Sequence, residues 1–154
     1  MASEGFGISQ RAATPAVTIR RRIPATGIPG FFDEAFPALF GYVMAQGAMG
    51  DGPPFARYHE MGDVMDMEAG IPTSRALAGD GAAIAPAELP GGSIAAAMHV
   101  GPYDRLHETY AALMAWLAKH GRRPCGPMWE SYLTDPTAEP DPEKWRTEVC
   151  VPVE

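Results

Sequence analysis

The sequence predicts an α+β fold: two tandem β-α-β-β units with antiparallel sheets, both helices on one face and a concave groove on the other. Three observations predict it. Shifted by 74 positions, the segment 27–58 matches itself at Gly27/Gly101, Glu34/Glu108, Ala38/Ala112, Leu39/Leu113, Gly47/Gly121, Gly52/Gly126, Pro53/Pro127 and Tyr58/Tyr132. That is eight identities in 32 positions, where ordinary residue frequencies give about two. The offset then becomes 80, with Glu68/Glu148, Ile71/Val151 and Pro72/Pro152. The step falls in a loop, where added length costs little entropy. Second, the same order of periodicities runs through both copies. Third, each helical stretch stops at a glycine, Gly47 or its mate Gly121.

Each element follows from its pattern. Residues 1–14 read as a mobile leader before the domain at 15–154. In the first half, about 15–72, Val17, Ile19 and Ile23 alternate as a strand does over Ala16–Ile23. Ile28-Pro29-Gly30 breaks it. Phe32, Phe36, Leu39, Phe40 and Val43 recur at helical spacing over Phe31–Gln46. Pro37 lies inside and removes one backbone donor. Pro53–Glu60 and Asp63–Ile71 read as strands around a Met61-Gly62 turn. Residues 73–91, rich in Ala, Gly and Pro, read as a connector.

The second half, about 92–154, repeats the order. Gly92–Val100 is a strand and Pro102–His120 a helix with Leu106, Tyr110, Leu113 and Leu117 on one face. Gly126–Leu133 and Trp145–Val153 are strands on either side of a proline-rich turn. A three-stranded sheet with one helix is a thin core. Two such units side by side make a sufficient one and leave the groove opposite the helices.

Composition narrows the function. The chain has 154 residues, 46% hydrophobic and 20% charged, as in an ordinary globule. Net charge is −7, a poor match to a nucleic-acid backbone. Arg20-Arg21-Arg22 is too short a basic run to change this. No apolar run is long enough to span a membrane, and the N-terminus has no signal-peptide core, so a cytoplasmic location is expected. Cys125 and Cys150 make no disulfide framework, and the four histidines lack metal-ligand spacing. No phosphate loop or nucleophile elbow is present. Neither a cofactor nor a metal is expected.

Strand alternation then selects candidates. Thr147, Val149, Val151 and Val153 form one row, Glu148 and Cys150 the other. The apolar row belongs against the helices, so Glu148, like its mate Glu68, points to the groove or to solvent. Met128, Glu130 and Tyr132 share a face, and only the second copy carries a carboxylate there. A glutamate in a short strand ordinarily faces solvent; what singles out Glu130 is its company of tyrosine, methionine and tryptophan. Ring faces attract a cation by roughly 0.5–2 kcal/mol each, methionine adapts to different guests, and a half-desolvated carboxylate seeks a positive partner. Glu130 is thus placed in the groove with Tyr132, Met128, Trp129 and Tyr58, with Glu68, Glu148 and Trp145 as further lining. His99 reads as a structural histidine and Cys150 as a passive thiol.

The segments His99-Val100-Gly101-Pro102-Tyr103, Trp129-Glu130-Ser131-Tyr132-Leu133-Thr134-Asp135-Pro136 and Lys144-Trp145-Arg146-Thr147-Glu148-Val149-Cys150-Val151-Pro152-Val153 resemble the GyrI-like family, the effector-binding domain of multidrug-sensing transcription activators. The resemblance covers about 15–154 and implies a groove for small, hydrophobic, often cationic molecules. It puts the family's ligand-facing glutamate on Glu130 and the aromatic shell on Tyr132 and Tyr58. Such regulators carry a helix-turn-helix ahead of the groove domain. About fourteen residues precede the first predicted strand here, so a stand-alone binding module is expected, with no nucleic-acid partner. Some relatives inhibit gyrase, but the sequence identifies no protein partner. Exposed sheet edges leave room for a homodimer. The alternative function is a hydrolase of cyclopropane-containing toxins, with Glu130 as general base and Tyr132 or Tyr58 as hydrogen-bond donor.

Overall fold

A computed structural model describes residues 3–154 as an α+β protein with two helices and eight antiparallel strands. The chain divides into two compact units. One comprises Ala12–Pro90, the other Met1–Arg11 with Gly91–Glu154. Among the described residues no helix is long and apolar enough to cross a membrane.

In the unit Ala12–Pro90, strands β2 (Thr14–Pro24), β3 (Phe55–Glu60), β4 (Val64–Pro72) and β5 (Ala85–Leu89) pair in the order β3-β4-β2-β5. Helix α1 (Ile28–Ala45) packs on β4 and β2. Its buried residues, Phe31, Ala35, Leu39 and Val43, stand four apart and so form one stripe. They meet the inward row Val17, Ile19, Met67, Ala69 and Ile71, all at most 3% exposed. Each large apolar side chain buried this way contributes roughly 1.5–3 kcal/mol. Pro37 is tolerated because it lies on the exposed side of the helix.

In the other unit, strands β1 (Ser3–Arg11), β6 (Gly92–Val100), β7 (Met128–Tyr132) and β8 (Arg146–Pro152) pair in the order β1-β6-β8-β7. Helix α2 (Leu106–Lys119) packs on β6 and β1. Leu106, Leu113 and Leu117 bury against Ala95, Ala97, Val149, Val151 and Val153, with Phe6, Ile8 and Met128 at the margin. Both helices end as the sequence predicts. Gly47 and Gly121 adopt φ of 60° and 66°. The next residues, Ala48 and Arg122, donate their N–H groups back to the carbonyls of Val43 and Leu117, which closes each helix with the six-to-one bond of a Schellman motif.

Two expectations are corrected. The segment read as a mobile leader contains β1, which pairs with β6 from Ser3↔His99 to Arg11↔Gly92. The connector contains β5, which pairs with β2 from Thr14↔Leu89 to Thr18↔Ala85. Each unit therefore has four strands rather than three, the fourth coming from outside the predicted repeat. Both extra strands were hidden by their residues: glycines at 5 and 7 in β1, and Pro86 in the five-residue β5. Proline is compatible with a strand at the end of a sheet.

Candidate functional site

Glu130 lies in the middle of β7, in register with Val149 of β8. Val149 belongs to the row that packs on α2, so Glu130 is on the helix side of its sheet. It is 4% exposed. A carboxylate so far from water needs hydrogen-bond donors, and neighbouring elements supply them. Tyr132, two residues on and on the same face, donates its O–H to Oε1 at 2.7 Å. Tyr110, on the sheet-facing side of α2, donates its O–H to Oε2.

Beyond this core the rings continue. Tyr103, in a 3-10 turn that leads into α2, meets the Tyr132 ring edge-on with centroids 5.8 Å apart. Trp145, just before β8, tilts over Tyr103 at 4.9 Å. A row of rings thus runs Tyr132–Tyr103–Trp145, from the buried carboxylate to the half-exposed Tyr103. Burial, and then the negative charges of Glu130 and Asp135, push the Tyr103 phenol above its ordinary range. It therefore stays a neutral donor at physiological pH.

His99 is fully buried and is the last residue but one of β6. Its Nε2 is 2.9 Å from the carbonyl of Pro102, which can only accept, so Nε2 donates. Its Nδ1 lies 2.7 Å from the Thr109 hydroxyl of α2. His99 thus fastens the turn that carries Tyr103 to the helix that carries Tyr110. This is the structural role its sequence context indicates.

The remaining sequence-selected residues divide between two faces and two units. Met128 shares the face of Glu130 and borders the α2 core. Trp129, 2% exposed, is in register with Cys150 on the reverse face. Glu148 is on that reverse face too, where Arg11 reaches both its oxygens at 3.2 Å. Glu68 belongs to the other unit, away from α1, and accepts from His59 Nε2 at 2.8 Å. The row opposite α1 also holds the Arg20–Asp66 and Arg22–Glu60 pairs. Tyr58, 9% exposed, is in register with Met67 on the α1 side of that unit.

The placement of Glu130 in a groove opposite the helices is therefore corrected: its side chain lies on the α2 side. Trp129 and Glu148 do not share its face. Side chains alternate along each strand as a period of two requires, but the register between β7 and β8 decides which row meets α2. Sequence reasoning also missed Tyr110 and Tyr103 as neighbours of the carboxylate. The sequence shows Tyr110 only as a member of the helix face Leu106, Tyr110, Leu113 and Leu117. Among the described residues no three His, Cys, Asp or Glu side chains gather as a metal would require.

Comparison with known proteins agrees with this architecture. The structure superposes on the EcmrR C-terminal domain with a TM-score of 0.83 and 23% identity over 97% of each chain. It matches a hydrolase from Listeria innocua with a TM-score of 0.72 and 16% identity, over 97% of this chain and 91% of the other. SAV2435 bound to tetraphenylphosphonium gives 0.68 and 17%, over 98% and 94%. At these identities the likeness is one of fold. No curated protein sequence matches. The family model of the GyrI-like small molecule binding domain, in contrast, aligns with residues 7–154, nearly the whole chain, and the protein belongs to that family.

Proposed function

We propose that this domain binds small lipophilic cations, with Glu130 as the charge anchor and Tyr132, Tyr103, Tyr110 and Trp145 as ring walls. The observation that carries the reading is a carboxylate 4% exposed, held by the hydroxyls of Tyr110 and Tyr132. Each phenol donates an O–H to a lone pair of the carboxylate. A cation arriving beside this group gains Coulomb energy in a medium poor in water, and the ring faces add attraction. That SAV2435, of the same fold, has been captured with tetraphenylphosphonium supports this class of ligand.

Tetraphenylphosphonium and tetraphenylborate have nearly the same shape and opposite charge. Calorimetric titration should show the phosphonium binding and the borate not. Glu130→Gln should weaken phosphonium binding at least tenfold, about 1.4 kcal/mol. Equal affinity in both proteins would exclude the anchor role.

A second reading, hydrolysis of a strained cyclopropane with Glu130 as general base, draws on the hydrolase among the fold neighbours. The geometry favours binding: two O–H groups already point at the oxygens that a base must offer to water. Incubation with a cyclopropane-bearing alkylator, followed by mass spectrometry, separates the readings. Turnover lost in Glu130→Gln would establish the enzyme.

A further inference from the structure

The segment from Thr134 to Trp145 joins β7, which carries Glu130 and Tyr132, to β8. A connection of this length is long for a compact domain, and its one piece of regular structure is the 3-10 turn Pro142–Lys144. Its base is closed where Leu133 N–H donates to the Arg146 carbonyl and Arg146 N–H to the Thr134 hydroxyl. Its far part is almost wholly exposed, so few contacts decide its position. Three of them converge on the turn that carries Tyr103. Gly101 N–H donates to the Trp145 carbonyl at 2.8 Å. The Trp145 ring covers Tyr103 while its Nε1 donates to the Glu139 carbonyl at 2.9 Å. Arg105, the residue immediately before α2, places Nη2 at 2.6 and 2.7 Å from the two oxygens of Glu143.

Arg105 and Glu143 touch neither Glu130 nor the phenols that hold it in any of these contacts. Their pair is 39% and 66% exposed, where ion pairs add little to global stability. It joins two pieces of chain 38 residues apart, and those pieces carry the two outermost rings of the row. Pro136, Pro140 and Pro142 fix φ at three positions of the segment, which restricts how it can bend.

We infer that residues 134–145 form a strap over the ring row, and that Arg105 and Glu143 are positioning residues that latch it and set the rate of ligand entry and exit. This rests on the reading of Glu130 as a ligand anchor. A latch that is broken or closed without touching the anchor changes both rates and leaves the equilibrium nearly unchanged.

The test has one arm without ligand and one with it. In Arg105→Gln and in Glu143→Gln, amide hydrogen exchange within 134–145 should quicken at least fivefold, while α2 and β8 exchange as in the wild type. Stopped-flow binding of tetraphenylphosphonium should show association and dissociation each at least fivefold faster, with Kd within about threefold. Raising salt should move the wild type toward the variants. The swapped double variant Arg105→Glu/Glu143→Arg should restore both slow exchange and slow rates.

Unchanged exchange in the single variants would overturn the strap, whatever the ligand does. Faster exchange with unchanged binding rates would overturn the gating role. Failure of the wild type to bind the phosphonium is a separate result. It would refute the anchor reading, and the gate with it, while the exchange arm would still report whether the latch holds the loop.

Discussion

Tyr132 donates its phenolic hydrogen to Oε1 of Glu130 at 2.7 Å from two places further along the same strand. Side chains at i and i+2 of a strand share a face, so β7 alone brings one donor to the carboxyl group. Tyr110 arrives on α2. The buried group is therefore met by one donor that is local in sequence and by another that tertiary packing supplies.

Removing the local donor should cost stability. Tyr132→Phe keeps the ring against Tyr103 but deletes a hydrogen bond to a charged acceptor, a contact that contributes roughly 1.5–3 kcal/mol. Urea unfolding of the variant at neutral pH should show a loss in that range, and Tyr110→Phe a similar one. Unfolding midpoints equal to the wild type in both would mean that the phenols do not stabilise the carboxylate.

The two cysteines should differ sharply in reactivity. Cys125 is exposed and Cys150 buried. Burial above all, and then the charge of Glu148, pushes the Cys150 thiol well above the ordinary cysteine range, against the opposing pull of Arg11. Thiolate is the reactive form. Ellman's reagent should therefore modify one thiol in the native protein and two in guanidinium, and Cys125→Ser should leave the native protein unreactive. Rapid labelling of two thiols in the folded state would contradict the burial.

Most strands and both helices were legible because their apolar residues follow periods of two or four and because Gly47 and Gly121 mark the stops. β1 and β5 were not. Phe6 and Ile8 do alternate, but two apolar residues interspersed with Gly5 and Gly7 are too weak a signal against the polar remainder of the segment. Glu130 was legible as an odd charge among rings. Its side of the sheet was not, because facing α2 is fixed by the pairing Glu130↔Val149, a contact between distant strands. The Arg11–Glu148 pair was hidden for the same reason: it needs β1 in the sheet.

Acid should uncover one ion pair. Arg20 gives Nε and Nη2 to the two oxygens of Asp66, both at 2.9 Å. That hydrogen-bonded guanidinium, helped by its charge, holds the Asp66 carboxyl below the usual aspartate range. A depressed folded pKa adds stability above the unfolded value, about 3.9, and that stability is lost as pH falls through the folded one. Arg20 remains half exposed, so solvent screens the pair to about 0.5–1 kcal/mol. Arg20→Gln should lower stability by about that much at pH 7, while near pH 2 variant and wild type converge. A gap that persists unchanged into acid would assign the loss to the arginine stem's packing.

A steric demand falls on Gly70 of β4, in register with Phe55 of β3 and Thr18 of β2. Its backbone is ordinary strand, so glycine is not needed there for its conformation. It is needed for space. A Cβ on Gly70 would stand 2.8 Å from Cε1 and Cε2 of the Phe55 ring, which is itself 1% exposed and cannot swing into solvent. Overpacking of this kind costs about 1–3 kcal/mol, and Gly70→Ala should lose stability in that range. Phe55→Leu alone leaves a void and should also destabilise. Together the two changes relieve each other, so the double variant should be more stable than the sum of the single losses allows, by at least about 0.5 kcal/mol in a double-mutant cycle. Strict additivity in urea unfolding would show that the ring is not what excludes a side chain at this position.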